Sequence, residues 1–362
     1  MSAATGFASG NRAHADLAVA AVRDALQRAD SDYAHGVILL LSNHFNREAQ
    51  AAVRAAGQTA RCLQIAGGTV PGVFTEHSWA LHQPAAAALV LCGDITLGPP
   101  RDNAAVMTLV TPQALQPDWL VHAPERFGAL VTGGDARDSG QVWGHGRIST
   151  SGRFEGSFHQ ARTRVTVSRG LRFLSEPLMV STRDAFDIFH LSHQPALDAL
   201  LLAAGVAEAE ELPLNHIFAA VLDASMSVSE AISEGCYTLL PILAVNPREK
   251  SVTLAAAVAD DAILVWCRND PEAAVSDGLK ALTRINGHRA PAPDFALMYS
   301  CIGRGPYFYR GQDRDLTLLR EHHPDVPVLG AYSAGEIAPL GPGNALLSYS
   351  AVIALVNADV QS

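Results

Sequence analysis

YSCIGRGPYFYRGQDRDLTLLREHHPDVPVLGAYSAGEIAPL, residues 299–340, alternates apolar runs with glycine-rich turns, and that alternation decides the class of fold. The run Phe295–Tyr299 reads as a strand that empties into Ser300-Cys-Ile-Gly-Arg-Gly305. Asp315–Glu321 reads as a helix, and Val328–Tyr332 as a second strand that empties into Ser333-Ala-Gly-Glu-Ile337. A closing apolar run, Leu346–Leu355, predicts one more strand.

Upstream the same texture recurs with variations. Leu17, Val19, Val22 and Leu26 lie at helical spacing. Gly36–Leu41 is a continuous apolar run, the pattern of a strand buried on both faces. A helix over Arg47–Ala56, stopped by Gly57, and a strand over Arg61–Ala66 complete a strand–helix–strand unit, which predicts parallel neighbours. From Ala85 to Thr166 short apolar runs broken by Gly, Pro, Asp and Asn predict antiparallel strands, with a proline-rich, loop-like region between Gly98 and Phe127. Pro195–Gly205 reads as a helix, Asn215–Leu222 and Tyr237–Val245 as strands, and Ser251–Val258 with Ala262–Cys267 as a hairpin. Asp270 and Pro271 supply the N-cap and first position of a helix running to Ile285. No short solenoid-type repeat is visible. The class is α/β, with mixed, largely antiparallel sheets flanked by helices.

At 362 residues the chain exceeds the size of one ordinary core, which predicts two domains. Hydrophobic residues make up 48% and charged residues 17%, the composition of a well-cored globular protein. A formal net charge of -10 with thinly spread Lys and Arg repels phosphate backbones and anionic lipid, so neither nucleic acid nor membrane is an expected partner. The first residues lack a signal-peptide pattern, and no apolar run is long enough to span a bilayer. Five widely spaced cysteines without a CxxC pair argue against a disulfide framework or structural zinc. Together these predict a reduced, cytoplasmic protein.

The chemistry-bearing candidates cluster in the turns after strands. Cys301, Gly303, Arg304 and Gly305 form one; the glycines allow close approach, and Arg304 offers a bidentate grip on an anion. The alternative is an ion pair from Arg304 to Asp313 or Asp315. Ser333, Gly335 and Glu336 form the other; with Arg304, Glu336 would suit a zwitterion, or else a salt bridge that only fixes the loops. Cys301 near a cation is a candidate nucleophile, against the reading of an inert buried thiol. Asn43, His44 and Glu76 stand beside strand ends or turns and join the candidate ligand contacts. No metal-ligand spacing is found among the fourteen histidines, although a single one can serve as a haem axial ligand. The glycines match neither a Walker A loop nor a dinucleotide fingerprint.

The segment 299–340, followed by LLSYSAVIALV, resembles the FIST-C pattern: a strand ending in SCxGRG, a helix, a strand, GEI and a closing apolar strand. VTVSRGLRFLSEPLMVSTRDAFDIFHLSHQPALDALL resembles the FIST-N ending, and GVILLLSNHFNREAQ and GGTVPGVFTE a bacterial branch of the family. Two departures stand out. Arg169-Gly170-Leu171 replaces Gln-Gly-Cys, and Ser192-His193-Gln194-Pro195 replaces Asp-Gly-Arg-Pro. The resemblance implies a stand-alone bacterial sensor with two interlocking domains, FIST-N-like over 1–210 and FIST-C-like over 211–362. It implies a small-molecule ligand, amino acids among them, and output through a separate protein such as a histidine kinase. It also implies two alternatives, a haem-binding nitric-oxide sensor and, from the thiol, an enzyme with a cysteine nucleophile. The first expectation is a binding protein with neither catalytic residue nor cofactor.

Overall fold

The computed structural model describes residues 2–134, 139–287 and 290–359. The chain forms two compact units: Met1–Ser168 with Asp277–Ser362, and Arg169–Ser276.

The first unit is built from three passes of one pattern. The first pass is β1 (Ala3–Ser9), α1 (Ala15–Ala29), β2 (Gly36–Ser42), α2 (Ala49–Ala60), β3 (Ile65–Val70), β4 (Gly72–Thr75), β5 (Trp79–Leu81) and β6 (Ala85–Leu91). The second is β7 (Thr96–Gly98), β8 (Val106–Val110), α3 (Pro117–Val121), β9 (Arg126–Leu130), β10 (Val142–Gly144), β11 (Arg147–Ile148) and β12 (Arg153–His159). The third opens with β13 (Ala161–Ser168). There the chain leaves for the second unit: β14 (Leu171–Phe173), β15 (Leu178–Asp184), β16 (Asp187–Leu191), β17 (Gln194–Pro195), α4 (Ala196–Ala204), β18 (Ile217–Leu222), α5 (Val228–Ser233), β19 (Tyr237–Asn246), β20 (Ser251–Leu254) and β21 (Ile263–Asn269). The third pass resumes through α6 (Pro271–Asn286), β22 (Phe295–Cys301), α7 (Arg314–His322), β23 (Val328–Ser333), β24 (Glu336–Leu340), β25 (Gly343–Leu347) and β26 (Ala351–Ala358).

Three six-stranded sheets result, ordered β1-β6-β2-β3-β10-β11, β7-β12-β8-β9-β24-β25 and β13-β26-β22-β23-β4-β5. Each has one parallel pair, β2–β3, β8–β9 or β22–β23, with antiparallel pairing elsewhere. The parallel neighbours expected from the first strand–helix–strand unit are therefore present. In every sheet the last two strands are a hairpin lent by a different pass: β10–β11 to the first, β24–β25 to the second, β4–β5 to the third.

Strand alternation divides each sheet into an inner and an outer face. Inner residues of all three, among them Ile38, Leu40, Met107, Leu109, Leu297 and Tyr299, share one core. Outer residues pack under helices: Ala18, Ala21, Val22 and Ala25 of α1 with Ala52, Val53 and Ala56 of α2 cover Leu39, Leu41, Ala86 and Ala88. These alanines fall at helical spacing, and their small size lets helix and sheet approach closely. Leu282 of α6 and Leu316 and Leu319 of α7 cover Met298, Tyr332 and Ile353 in the same way. Asp270 does cap α6, accepting from the backbone N–H groups of Glu272 and Ala273 at 3.1 and 2.9 Å.

The second unit is a closed antiparallel barrel of β21, β15, β16, β20, β19 and β18, sealed by β18–β21 pairing. The hairpin expected at 251–267 is not formed. β20 pairs with β16 and β19, and β21 with β14, β15 and β18, because closing the barrel takes each strand to a more distant partner. Two further expectations shift. The strand placed at Arg61–Ala66 lies at Ile65–Val70, since Arg61 caps α2 in the left-handed conformation and Cys62–Gln64 form a loop. The loop-like region 98–127 also carries β8 and α3.

Candidate functional site

The three passes place corresponding residues at the ends of the parallel pairs. The pairings Ser42↔Val70, Val110↔Leu130 and Cys301↔Ser333 put Ser42, Thr111 and Cys301 at one equivalent position. Each is followed by a short 3-10 turn: 43–45, 112–114 and 302–304. On the neighbouring strand the equivalents are Val70, Val131 and Ser333. On the lent hairpin they are Val73, Val142 and Glu336, opposite Ala331, Gly68 and Ala129. On the closing strand they are Ala85, Gly152 and Ser350.

One of the three strand ends differs from the others in chemistry. Where the first two passes set Val, Val and Ala or Gly, the third sets Ser333, Glu336 and Ser350. The Glu336 carboxyl has no solvent exposure. It accepts from Ser333 Oγ at 2.7 Å and from Ser350 Oγ at 2.8 Å. Burial pushes it up to about 8, even though the serine hydroxyls favour its ionised form. Cys301 lies beside it, its thiol pushed up to about 12 by burial and then by the Glu336 charge. Such a thiol stays protonated at neutral pH, which removes the activation a cysteine nucleophile needs. One layer deeper on the inner face of β22, the buried Tyr299 hydroxyl has no hydrogen-bond partner.

Arg304 turns the other way. It is buried on the helix-covered side of the third sheet, where Nε and Nη2 donate to Asp315 at 2.8 and 2.9 Å. Nη1 donates to Ser168 O at 2.9 Å, and Nη2 also donates to Ser168 Oγ at 2.7 Å. Burial opposes the guanidinium charge, but Asp315 and Tyr309 outweigh it and raise the arginine further. The ion pair left open by the sequence is thus formed with Asp315, and Arg304 is not paired with Glu336. Asp313, which caps α7 and accepts from Tyr332, is pushed up to about 6 by burial and then by Asp315.

Asn43 and His44 occupy the 3-10 turn after β2, at the same end as Glu336. Asn43 donates to Gly133 O at 3.2 Å, and His44 Nδ1 lies 3.3 Å from Ser42 Oγ. Burial and then His82 lower the His44 ring, and His82 stacks on Tyr307 at 5.8 Å, linking the first turn to the loop that carries Gly303 and Gly305. Gly335 O accepts from Leu130 N at 2.8 Å, joining the third pass to the second. Glu76 sits apart. It accepts from Thr5 Oγ1 and from the Val328 N–H at 2.9 Å, at the far end of β23, about 17 Å from Ser333 at the usual strand rise. Ser350 is not among the residues the sequence marks as candidates. Its only signal was a serine pair, Ser348 and Ser350, just ahead of the closing apolar strand. Among the described residues no histidine is fully buried, and no group of three or more metal-ligating side chains gathers.

Residues 173–339 match the family model of the FIST C domain. FIST domains are sensory, ligand-binding modules of signalling proteins. An uncharacterized protein of Mycobacterium tuberculosis (strain ATCC 25618 / H37Rv) is 26% identical over 231 residues, 63% of this chain and 60% of the relative. An uncharacterized protein of Mycobacterium bovis is 25% identical over 238 residues, 65% of this chain and 61% of the relative. The similar region therefore spans about three fifths of the length of these relatives. Among the described residues no helix is long and apolar enough to cross a membrane.

Proposed function

We propose that the chain is a signal-transduction sensor for a small metabolite carrying an ammonium group, amino acids being the first class to try, and that Glu336 is its anchor. One observation carries this reading. Of three equivalent strand ends around a shared core, a single one sets a buried carboxyl held by two serines where the other two set Val, Val and Ala or Gly. An apolar end would pack at less cost, since an uncompensated buried carboxyl opposes folding. A ligand ammonium would satisfy it, with Ser333, Ser350 and the thiol of Cys301 as neighbours. Asn43 and His44 in the adjoining turn are proposed second contacts. Arg304 holds the turn 302–305 to α7 through Asp315 and acts on the ligand only through that turn. Glu76 belongs to the opposite end.

The carboxyl has no solvent exposure, so a ligand reaches it only if the surrounding chain moves. That movement is the event a separate signalling protein, such as a histidine kinase, would read. The test is a thermal-shift panel of amino acids, amines and carboxylates at millimolar concentration. A ligand at a hundred times its Kd adds about 2.7 kcal/mol, a rise of several degrees. Glu336→Gln is expected to abolish the rise, and a panel with no responder among the ammonium compounds overturns the reading.

A further inference from the structure

A cavity unrelated to Glu336 lies in the first unit where the end of α2 meets the β10–β11 turn. Its volume is about 460 Å³, within the range of small-molecule sites. Val53, Gly57, Cys62 and Ile65 form an apolar floor. Leu63 stands at the rim, 83% exposed, the most exposed large apolar side chain described. Around it are Arg54, Arg61, Arg147 and His145, and no carboxylate lines the space. In a chain with 36 acidic and 26 basic residues, that gathering of one sign departs from the composition.

Among the described residues none of the three arginines has an ion-pair partner. The carbonyls at the end of α2, the natural internal counter-charge, are already occupied: Gly57 O by Cys62 N, Gln58 O by Arg61 N, and Ala60 O by Ala34 N. An apolar floor beneath unpaired guanidinium groups fits a molecule with one charged end and one greasy end.

We propose that this groove binds a small amphiphilic anion, its carboxylate, sulfonate or phosphate head held by Arg54, Arg61 and Arg147 and its apolar body laid on Val53, Leu63 and Ile65. The probe is 8-anilinonaphthalene-1-sulfonate, followed by fluorescence on the full chain. Saturable binding is expected, displaced by dodecanoate but not by dodecanol at equal concentration. Arg61→Ala combined with Arg147→Ala is expected to weaken the probe about tenfold, the scale of losing two exposed ion pairs. Arg12→Ala combined with Arg23→Ala removes the same charge elsewhere on the first unit and is expected to leave binding unchanged. Leu63→Ala, which keeps every charge, is expected to weaken it several-fold. All these side chains are exposed, so each variant should keep the wild-type circular dichroism. Equal affinity in the Arg61/Arg147 variant and wild type overturns the proposal, as does equal displacement by dodecanol.

Discussion

Glu336 makes the protein's stability depend on pH in a direction opposite to that of most carboxylates. Its ordinary value is 4.5 and burial carries it to about 8, so the folded state holds a proton that the unfolded state releases between those limits. The stabilisation from that proton is complete below about 4.5 and is lost as pH rises through about 8. Melting temperature in Glu336→Gln is therefore expected to fall less between pH 5 and pH 8.5 than in wild type. At the upper end the variant should melt higher by a few degrees. An ammonium ligand would ionise the carboxyl and release its proton, so affinity should improve from pH 6 to pH 8. Calorimetry in phosphate and in Tris would register that proton as a difference in apparent enthalpy; identical enthalpies would separate the ligand from Glu336. Cys301, buried and protonated, should react with iodoacetamide more slowly than the partly exposed Cys92, as peptide mapping after brief labelling would show.

At the scale of single elements, the recurrent G-x-x-x-x-G at 67–72, 128–133 and 330–335 marks one place in the fold. Its first glycine lies on β3, β9 or β23, beneath the lent hairpin, where Trp143, Ile337 and Phe74 cross it. A Cβ on Gly330 would enter the Phe74 ring, and one on Gly128 the carbonyl of Thr108. Gly330→Ala is expected to destabilise by about 3 kcal/mol, read as a lower urea midpoint. Phe74→Leu in the same chain should recover part of the loss. This repeat was in plain view in the sequence, yet a search for solenoid periods passes over it, because the passes differ in length and the third is interrupted by a barrel. Apolar runs, the cap at Asp270 and the parallel β2–β3 pair were legible because they are set by neighbours along the chain. The pairing of β4 with β23 was not, since it is decided by a strand more than 250 residues away. The same limit hid the site: Glu336 could be picked out, but only the third dimension supplies Ser350 and turns Arg304 away to Asp315.

In the molecule as a whole, the barrel occupies a connection that in the first pass runs only from Gly10 to His14. Ser168 Oγ donates to Asp277 Oδ2 at 3.1 Å, so the two places where the first unit is interrupted are adjacent. Replacing 169–276 by a short Gly/Ser linker should leave a folded, cooperatively melting first unit, and 169–276 alone should give the circular dichroism of a β-barrel. A first unit that fails to fold without the barrel would contradict this, because joining ends so close costs little chain entropy. The exchange of hairpins has a further consequence during synthesis. β4 and β5 leave the ribosome early, but the strand they pair with is complete only at Ser333. At about 5–20 residues per second the hairpin waits some 13–50 s with an open edge. For that interval the nascent chain depends on whatever else in the cell can shield an unpaired strand, and a stalled ribosome before Val328 would release a product that cannot close its own core.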